Sequence, residues 1–150
     1  MKTAALDRRV AVHTVGETTV RSLSQLRDKP YVVLLGEPGA GKSTALRYEA
    51  VAEGGDVLTC REVMNGAPLS NSGTAYLDAL DEYRSGDNGK DKLLQLANAI
   101  AESNICRWRL TCRAEDWRDA ADIYAMRRAA NNAPIAVAHL LPLDEAESQN

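Results

Sequence analysis

The sequence contains no phenylalanine, and its histidines and cysteines are few: His13 and His139, and Cys60, Cys106 and Cys112. Without phenylalanine, the aliphatic residues leucine, valine, isoleucine and alanine must fill most of the core. The odd number of cysteines and the lack of a C-x-x-C pair argue against a disulfide framework and against a zinc site.

No stretch of the sequence approaches the ~20 apolar residues that a membrane-spanning helix needs, and residues 1–9 lack the apolar segment of a signal peptide. Positive charge is not in excess either: the net charge is −3, which gives no reason to expect a polyanionic partner. The chain has 150 residues, of which 45% are hydrophobic and 26% charged, a composition typical of one globular domain. We therefore expect a cytoplasmic protein with no membrane partner.

The most informative stretch matches the pattern G-x-x-x-x-G-K-[ST] of phosphate-binding loops. It consists of Gly36, Glu37, Pro38, Gly39, Ala40, Gly41, Lys42, Ser43 and Thr44. An apolar run typical of a buried parallel strand precedes it at residues 31–35, and a predicted helix follows at residues 43–53. The glycines allow backbone N–H groups to surround an anion, and the helix N-terminus adds partial positive charge. We expect Lys42 to contact the β- and γ-phosphates of a nucleotide and the Ser43 hydroxyl to bind Mg²⁺.

Short apolar runs alternate with helical patterns along the rest of the chain. Further strands are predicted at residues 57–60, 74–78, 106–113 and 135–141, and helices at residues 90–103 and 116–131. This alternation predicts a three-layer α/β fold, in which about five mainly parallel strands carry helices on both faces. At the N-terminus we expect an arm at residues 1–19, of which residues 10–15 could form a short strand, and a helix at residues 20–29. The nucleotide-binding domain then spans residues 20–150.

The connection between the predicted strands at residues 57–60 and 74–78 is short. Its residues 64–73 are rich in Asn, Gly, Ser and Pro, which indicates a loop. A crossover between neighbouring parallel strands usually needs a dozen or more residues. Either the connection contains a short helical turn, or the two strands are not direct neighbours. The strand at residues 106–113 alternates apolar with polar residues, which predicts that its N-terminal end is exposed.

Three carboxylates, Asp78, Asp81 and Glu82, follow one another closely at the end of a predicted strand. Mg²⁺ takes one or two carboxylates together with water and phosphate oxygens. A carboxylate at the end of a strand beside the phosphate loop would meet that need, and a neighbouring glutamate could orient or deprotonate an attacking water.

The run DALDE from Asp78 to Glu82, which follows an apolar strand, matches the acidic signature of the NACHT group of STAND-type NTPases. The run LTCR from Leu110 to Arg113 resembles the element of these proteins that carries an arginine at the end of the next strand. The resemblance covers residues 20–145. It implies a P-loop NTPase that binds ATP or ADP with Mg²⁺ and hydrolyses ATP slowly. It also implies that the full-length protein forms homo-oligomers on activation and acts as a switch in immune or anti-phage signalling.

The resemblance also implies roles for individual residues. Asp78 would act on Mg²⁺, and Arg113 would contact the γ-phosphate. Asp81 and Glu82 would be the acidic pair that promotes hydrolysis. An arginine at the carboxyl end of a strand also suits a phosphate on chemical grounds. Proteins of this group continue into helical, winged-helix and sensor segments, so we expect a nucleotide-binding domain truncated at its C-terminus.

Other P-loop enzymes provide one alternative. A small-molecule kinase needs a lid that is often rich in arginine, and four arginines could form one: Arg113, Arg118, Arg127 and Arg128. A GTPase would normally carry an Asn-Lys-x-Asp motif, which this sequence lacks.

Two further alternatives concern partners and turnover. A nucleic-acid-linked ATPase would mix cations with stacking rings. The matching cluster comprises Arg107, Trp108, Arg109, Arg113, Trp117 and Arg118. The negative net charge argues against this partner. The last alternative is a module that binds nucleotide without turnover.

Overall fold

The computed structural model describes residues 7–14, 16–69, 73–86 and 88–142. The strands are β1 (Arg9–Thr14), β2 (Glu17–Ser22), β3 (Tyr31–Gly36), β4 (Val57–Thr59), β5 (Thr74–Asp78), β6 (Arg107–Arg113) and β7 (Ala136–Leu140). The helices are α1 (Lys42–Ala52), α2 (Cys60–Met64), α3 (Leu80–Tyr83), α4 (Gly89–Glu102) and α5 (Asp119–Met126), with short 3₁₀ helices at Leu23–Leu26 and Ala114–Asp116. None of the described helices is both long and apolar enough to cross a membrane.

All seven strands join one mixed sheet in the order β2-β1-β7-β3-β6-β5-β4. The strands from β3 to β7 pair in parallel, as the alternation of strands and helices predicted. Every residue of β3 is buried, because successive side chains of a strand point to opposite faces and both faces here are covered. Val33 and Leu35 pack in one core cluster, and Val32 and Leu34 pack in the other. The α/β class is confirmed, and the loop after β3 lies at the carboxyl edge of the parallel strands.

The N-terminal part of the fold differs from the prediction. β1 and β2 form an antiparallel hairpin, and β1 also pairs antiparallel with β7. The helix expected at residues 20–29 is wrong, since β2 continues to Ser22 and only a 3₁₀ helix follows. Leu23 and Leu26 are buried there, because residues three apart share one side of a 3₁₀ helix as well as of an α-helix.

The sequence predicts that the domain begins at residue 20 and is truncated at residue 150. The boundary expected at residue 19 falls inside β2. Residues 1–6 and 15 of the expected arm, and residues 143–150 at the expected truncated end, lie outside the described residues.

The short connection after β4 contains a helical turn, α2, and β4 and β5 are direct parallel neighbours. α2 begins with a reciprocal cap: the Thr59 hydroxyl accepts from the Glu62 N–H at 3.0 Å, and the Thr59 N–H donates to the Glu62 carboxylate at 2.8 Å. This cap satisfies two backbone donors within one turn. The cap explains how so short a segment forms a helix. The presence of α2 shows that the first of the two alternatives for this connection is correct.

The strand predicted at residues 106–113 is exposed at Cys106 and half-buried at Arg107, as expected of its N-terminal end, whereas β6 is buried from Trp108 to Cys112. Its polar side chains find partners inside the fold. The Arg109 guanidinium donates to backbone carbonyl groups, including that of Pro30 at 3.2 Å. A buried polar group is tolerated when it is hydrogen-bonded in this way, so β6 serves as a central strand despite its alternating pattern.

Candidate functional site

The phosphate-loop motif lies between central β3 and the start of α1. Gly39 and Gly41 have φ angles of +81° and +91°, a region that favours glycine. The Lys42 Nζ donates to the carbonyl oxygens of Gly36 at 3.3 Å and Glu37 at 3.4 Å. A Cβ at Gly36 would lie 3.0 Å from the Lys42 Cγ. Glycine at this position therefore allows the lysine to lie across the loop.

The remaining residues of the motif differ in exposure. Glu37, Pro38 and Thr44 are exposed, whereas Ala40 and Ser43 are half-buried. The half-buried Ser43 is the residue of the motif that meets the acidic cluster.

Ser43 and Asp78 are in direct contact: the Ser43 hydroxyl donates to the Asp78 Oδ2 at 2.6 Å. The carboxylate at the end of β5 therefore lies beside the phosphate loop, as expected, although β6 separates β5 from β3 in the sheet. α1 crosses this gap, with Leu46 and Ala50 in the same core cluster as Tyr76 of β5. The first turn of α1 therefore reaches the end of β5, which local sequence patterns do not reveal.

Thr111 of β6 fixes the other side of Asp78. Its hydroxyl is buried and accepts a hydrogen bond from the Ala79 N–H at 2.9 Å. The same hydroxyl donates its only hydrogen to the Asp78 Oδ1. Asp78 is thus held by Ser43 on one oxygen and by Thr111 on the other. Sequence analysis missed this role of Thr111, although a hydroxyl between the apolar residues of a central strand was a usable signal.

Asp81 of α3 also meets Arg113, the last residue of β6. The Asp81 Oδ1 accepts from the Arg113 N–H at 3.2 Å, and the Asp81 Oδ2 lies 3.9 Å from the Arg113 Nε. The Arg113 guanidinium also contacts Asp116 at 2.8 Å and Glu115 at 3.2 Å. The hydrogen bond to Asp116 is the main cause that raises the pKa of Arg113. This cation, with a side chain 41% exposed, is surrounded by carboxylates.

Glu82 does not join either of these contacts. It is exposed on α3, and its backbone carbonyl accepts from the Arg61 guanidinium at 2.7 Å. The structure therefore brings together Ser43 with Asp78 and Asp81 with Arg113, whereas Glu82 is exposed and lies outside both contacts.

A buried ion pair anchors α3, the helix that carries Asp81. The Arg84 Nη1 lies 2.7 Å from the Asp122 Oδ2, and the two side chains are 9% and 4% exposed. The Asp122 Oδ2 also accepts from the Arg118 N–H at 2.7 Å. Sequence analysis did not identify this pair, because its members are 38 positions apart and neither belongs to a motif.

An open cavity of about 570 Å³ adjoins the phosphate loop on the side of β7. It is lined by the loop residues 36–40 and by Arg8, Ala114, His139, Leu140 and Pro142. Its volume falls within the range of ~300–1,000 Å³ typical of ligand pockets. The buried Arg8 guanidinium donates to the Ala40 carbonyl at 2.9 Å and to the Leu141 carbonyl at 2.6 Å. Arg8 thus ties the phosphate loop to the chain that leaves β7.

Three of the six residues that suggested a nucleic-acid interface, including both tryptophans, lie in the core. Trp108 and Trp117 are buried, and the Trp108 Nε1 donates to the Ala129 carbonyl at 3.0 Å. Arg109 is buried as well, and desolvation, followed by the charge of Arg107, lowers its pKa to about 10. These rings and this cation do not form an exposed stacking surface.

The arginines suggested for a kinase lid are divided between the two ends of the sheet. Arg113 ends β6, at the edge where the phosphate loop lies. Arg127 and Arg128 lie between α5 and the start of β7, which runs parallel to β3. They are therefore at the opposite edge and cannot join Arg113 over a shared ligand without a large rearrangement.

The side chains at the loop suit a metal that arrives with a ligand. Across the part of the chain that the structure describes, no group of three or more His, Cys, Asp or Glu residues could hold a metal ion. The Ser43 hydroxyl and the Asp78 carboxylate are oxygen ligands of the kind that Mg²⁺ prefers, and phosphate oxygens and water would have to complete its shell. Comparisons with protein-family models, curated proteins and solved structures found no match to this chain.

Proposed function

We propose that the chain is a P-loop NTPase domain that binds Mg-ATP or Mg-ADP and hydrolyses ATP slowly, as a nucleotide-operated signalling switch. The observation that carries the proposal is the 2.6 Å contact between Ser43 and Asp78. It joins two motifs that are 35 positions apart, and each motif on its own suits a part of the same Mg-nucleotide. The NACHT-like role in defence and the assembly into homo-oligomers rest on the resemblance of the sequence alone.

The residues of the loop have complementary tasks in this proposal. Backbone N–H groups of the loop and of the first turn of α1 face the phosphates, where the helix dipole favours negative charge. Lys42 exchanges its carbonyl partners for phosphate oxygens. Ser43 and Asp78 hold Mg²⁺, which neutralises phosphate charge when it is bound.

The residues beyond Asp78 would act on the terminal phosphate. Arg113 lies at the end of the strand between β3 and β5, so a short movement away from Asp116 would bring its guanidinium toward the loop. Asp81 holds the Arg113 backbone. The exposed Glu82 is the carboxylate that is free to orient a water, which assigns hydrolysis to Glu82 and positioning to Asp81.

A second candidate function, nucleotide binding without turnover, has a specific observation in its favour. Arg113 is held by Asp81, Glu115 and Asp116. Hydrolysis requires Arg113 to leave these carboxylates, whereas binding requires the loop and Asp78, which are already together.

Calorimetry followed by a phosphate-release assay tests both candidates. We expect binding of Mg-ATP and Mg-ADP, weaker binding of Mg-GTP, and slow release of phosphate from ATP. Binding without release would favour the module without turnover. Failure to bind any of the three nucleotides would contradict the proposal.

A further inference from the structure

The two sides of the phosphate loop present different chemistry. β3 lies between β6 and β7. On the side of β6 are Asp78 and Arg113, which suit a metal and a terminal phosphate. On the side of β7 is His139, which is in register with Leu35 of β3. A nucleotide whose terminal phosphate lies toward β6, and whose other phosphates follow the loop across β3, has its nucleoside end on the side of β7.

A second cavity on that side can receive the nucleoside end. It has a volume of about 560 Å³ and shares Ala114 and His139 with the cavity at the loop. We call it the histidine groove. Its walls are mainly apolar, with Leu35 and Val137 from the sheet and Ile123 from α5. A planar base is mostly apolar on its faces and polar at its edge, and this lining suits such a ring.

Polar groups of the histidine groove lie where the edge of a base could meet them. The rings of His13 and His139 are in edge contact, with centroids 4.9 Å apart. The His13 Nδ1 is 2.8 Å from the Thr18 hydroxyl. Asp119, at the start of α5, lines the groove as well.

The charged groups around His139 decide its protonation. Burial, followed by the charge of His13 on β1, lowers the pKa of His139, whereas Asp119 of α5 and Glu37 of the loop oppose this shift. Arg8 lines the same cavity and adds positive charge. His139 is therefore neutral near pH 7 and gains a proton only in more acidic solution.

We propose that the histidine groove receives the nucleoside end of the bound nucleotide, and that His139 is the specificity-determining residue that contacts it. The inference rests on the proposed function, because the phosphates at the loop fix the direction of the ligand. It has a consequence for pH: a protonated His139 beside the phosphate loop adds positive charge near an anionic ligand, so ADP affinity should rise as the pH falls.

The chain contains two histidines, which makes NMR a direct test. One variant, His13→Gln, assigns both imidazole signals. Addition of Mg-ADP should shift the His139 signal strongly, whereas Mg-pyrophosphate, which lacks the nucleoside, should shift it much less. Equal shifts with the two probes, or no shift of His139 with Mg-ADP, would overturn the proposal.

Affinities of the His139→Gln variant provide a second test. At about pH 7.5, where His139 is neutral, we expect Mg-ADP affinity to fall about 3- to 10-fold, the size of a lost ring contact. Mg-pyrophosphate affinity should stay within about 2-fold, since this ligand does not reach His139. The ratio of Mg-ADP affinity at about pH 5.5 to that at about pH 7.5 should also be smaller in the variant than in the wild type. The ligand's own titration affects both proteins equally, so the comparison between them removes it.

The matched variant His13→Gln should behave differently. It removes the repulsion that His139 experiences, so the NMR titration of His139 should move to higher pH, and the loss of Mg-ADP affinity should be smaller than in His139→Gln. An equal loss of ADP and pyrophosphate affinity in His139→Gln would overturn the inference while leaving the proposed function in place. Absence of ADP binding by the wild type would instead overturn the proposed function, and the inference with it.

Discussion

The substitution Asp78→Asn tests the link between the two motifs and has a magnitude that can be worked out. Thr111 accepts from the Ala79 N–H and so must donate to the side chain at position 78. In the variant, the carbonyl oxygen of the new asparagine would take that bond, and its amide would donate to the Ser43 hydroxyl. Both hydrogen bonds therefore persist in neutral form.

The stability of the variant should fall measurably, but the fold should persist. A hydrogen bond to a charged group contributes about 1.5–3 kcal/mol and a neutral one about 0.5–1.5 kcal/mol, so two weakened bonds predict a loss of about 2 kcal/mol. For a domain of this size, that loss lowers Tm by about 4–8 °C. Urea unfolding and thermal denaturation measure it.

The substitution should also change how strongly ATP affinity depends on Mg²⁺. The introduced asparagine lacks the negative charge that suits Mg²⁺, so we expect affinity for ATP in the presence of Mg²⁺ to fall at least about 10-fold, with affinity in EDTA unchanged. The control is Thr111→Val, which leaves the half-buried Ala79 N–H without its acceptor and costs about 1–3 kcal/mol of stability, but keeps the Asp78 carboxylate. Equal magnesium dependence in Asp78→Asn and the wild type would refute the reasoning.

Three further predictions concern other parts of the chain. Glu82→Gln should bind Mg-ATP as the wild type does but release no phosphate, since it changes only the chemical step; surviving turnover would move this role to Asp81. Arg84→Ala should destabilise the fold by about 3–5 kcal/mol in urea unfolding, because the Asp122 charge stays buried without its partner; a loss below about 1 kcal/mol would show that water reaches Asp122. Iodoacetamide at about pH 8 should label Cys106 and spare Cys60 and Cys112 in the native chain, because Cys106 is exposed and burial raises the pKa of Cys112 to about 12; peptide mass spectrometry that found rapid labelling of Cys112 would contradict its burial.

Local patterns in the sequence were sufficient for the α/β class and for the parallel strands. The apolar run of β3 and the apolar face of α4 can be recognised in the sequence, because each depends on residues that are close together in the chain. The hairpin was missed for a related reason. Val20, Leu23 and Leu26 have helical spacing, but β2 pairs with β1, and non-local pairing outweighed local periodicity.

The arrangement of the candidate site could be predicted only in part. The residues of the loop and the acidic cluster were found because motifs carry them. The position of β6 between β3 and β5 was not, because strand order depends on contacts far apart in the sequence. The same reason hid Thr111, whose role exists only beside Asp78, and Arg8, which nothing in the sequence distinguishes from Arg9.

The most direct test of the account is the affinity for Mg-ATP of the wild type and of Lys42→Ala, measured by calorimetry under the same conditions. The account predicts binding by the wild type and a loss of about 10- to 100-fold in the variant, the size of a lost charge-assisted hydrogen bond to phosphate. Circular dichroism should show that the variant remains folded, since the Lys42 Nζ donates to two carbonyl groups of the loop and not to the core. Equal affinity in the two proteins would contradict the claim that this loop binds the phosphates.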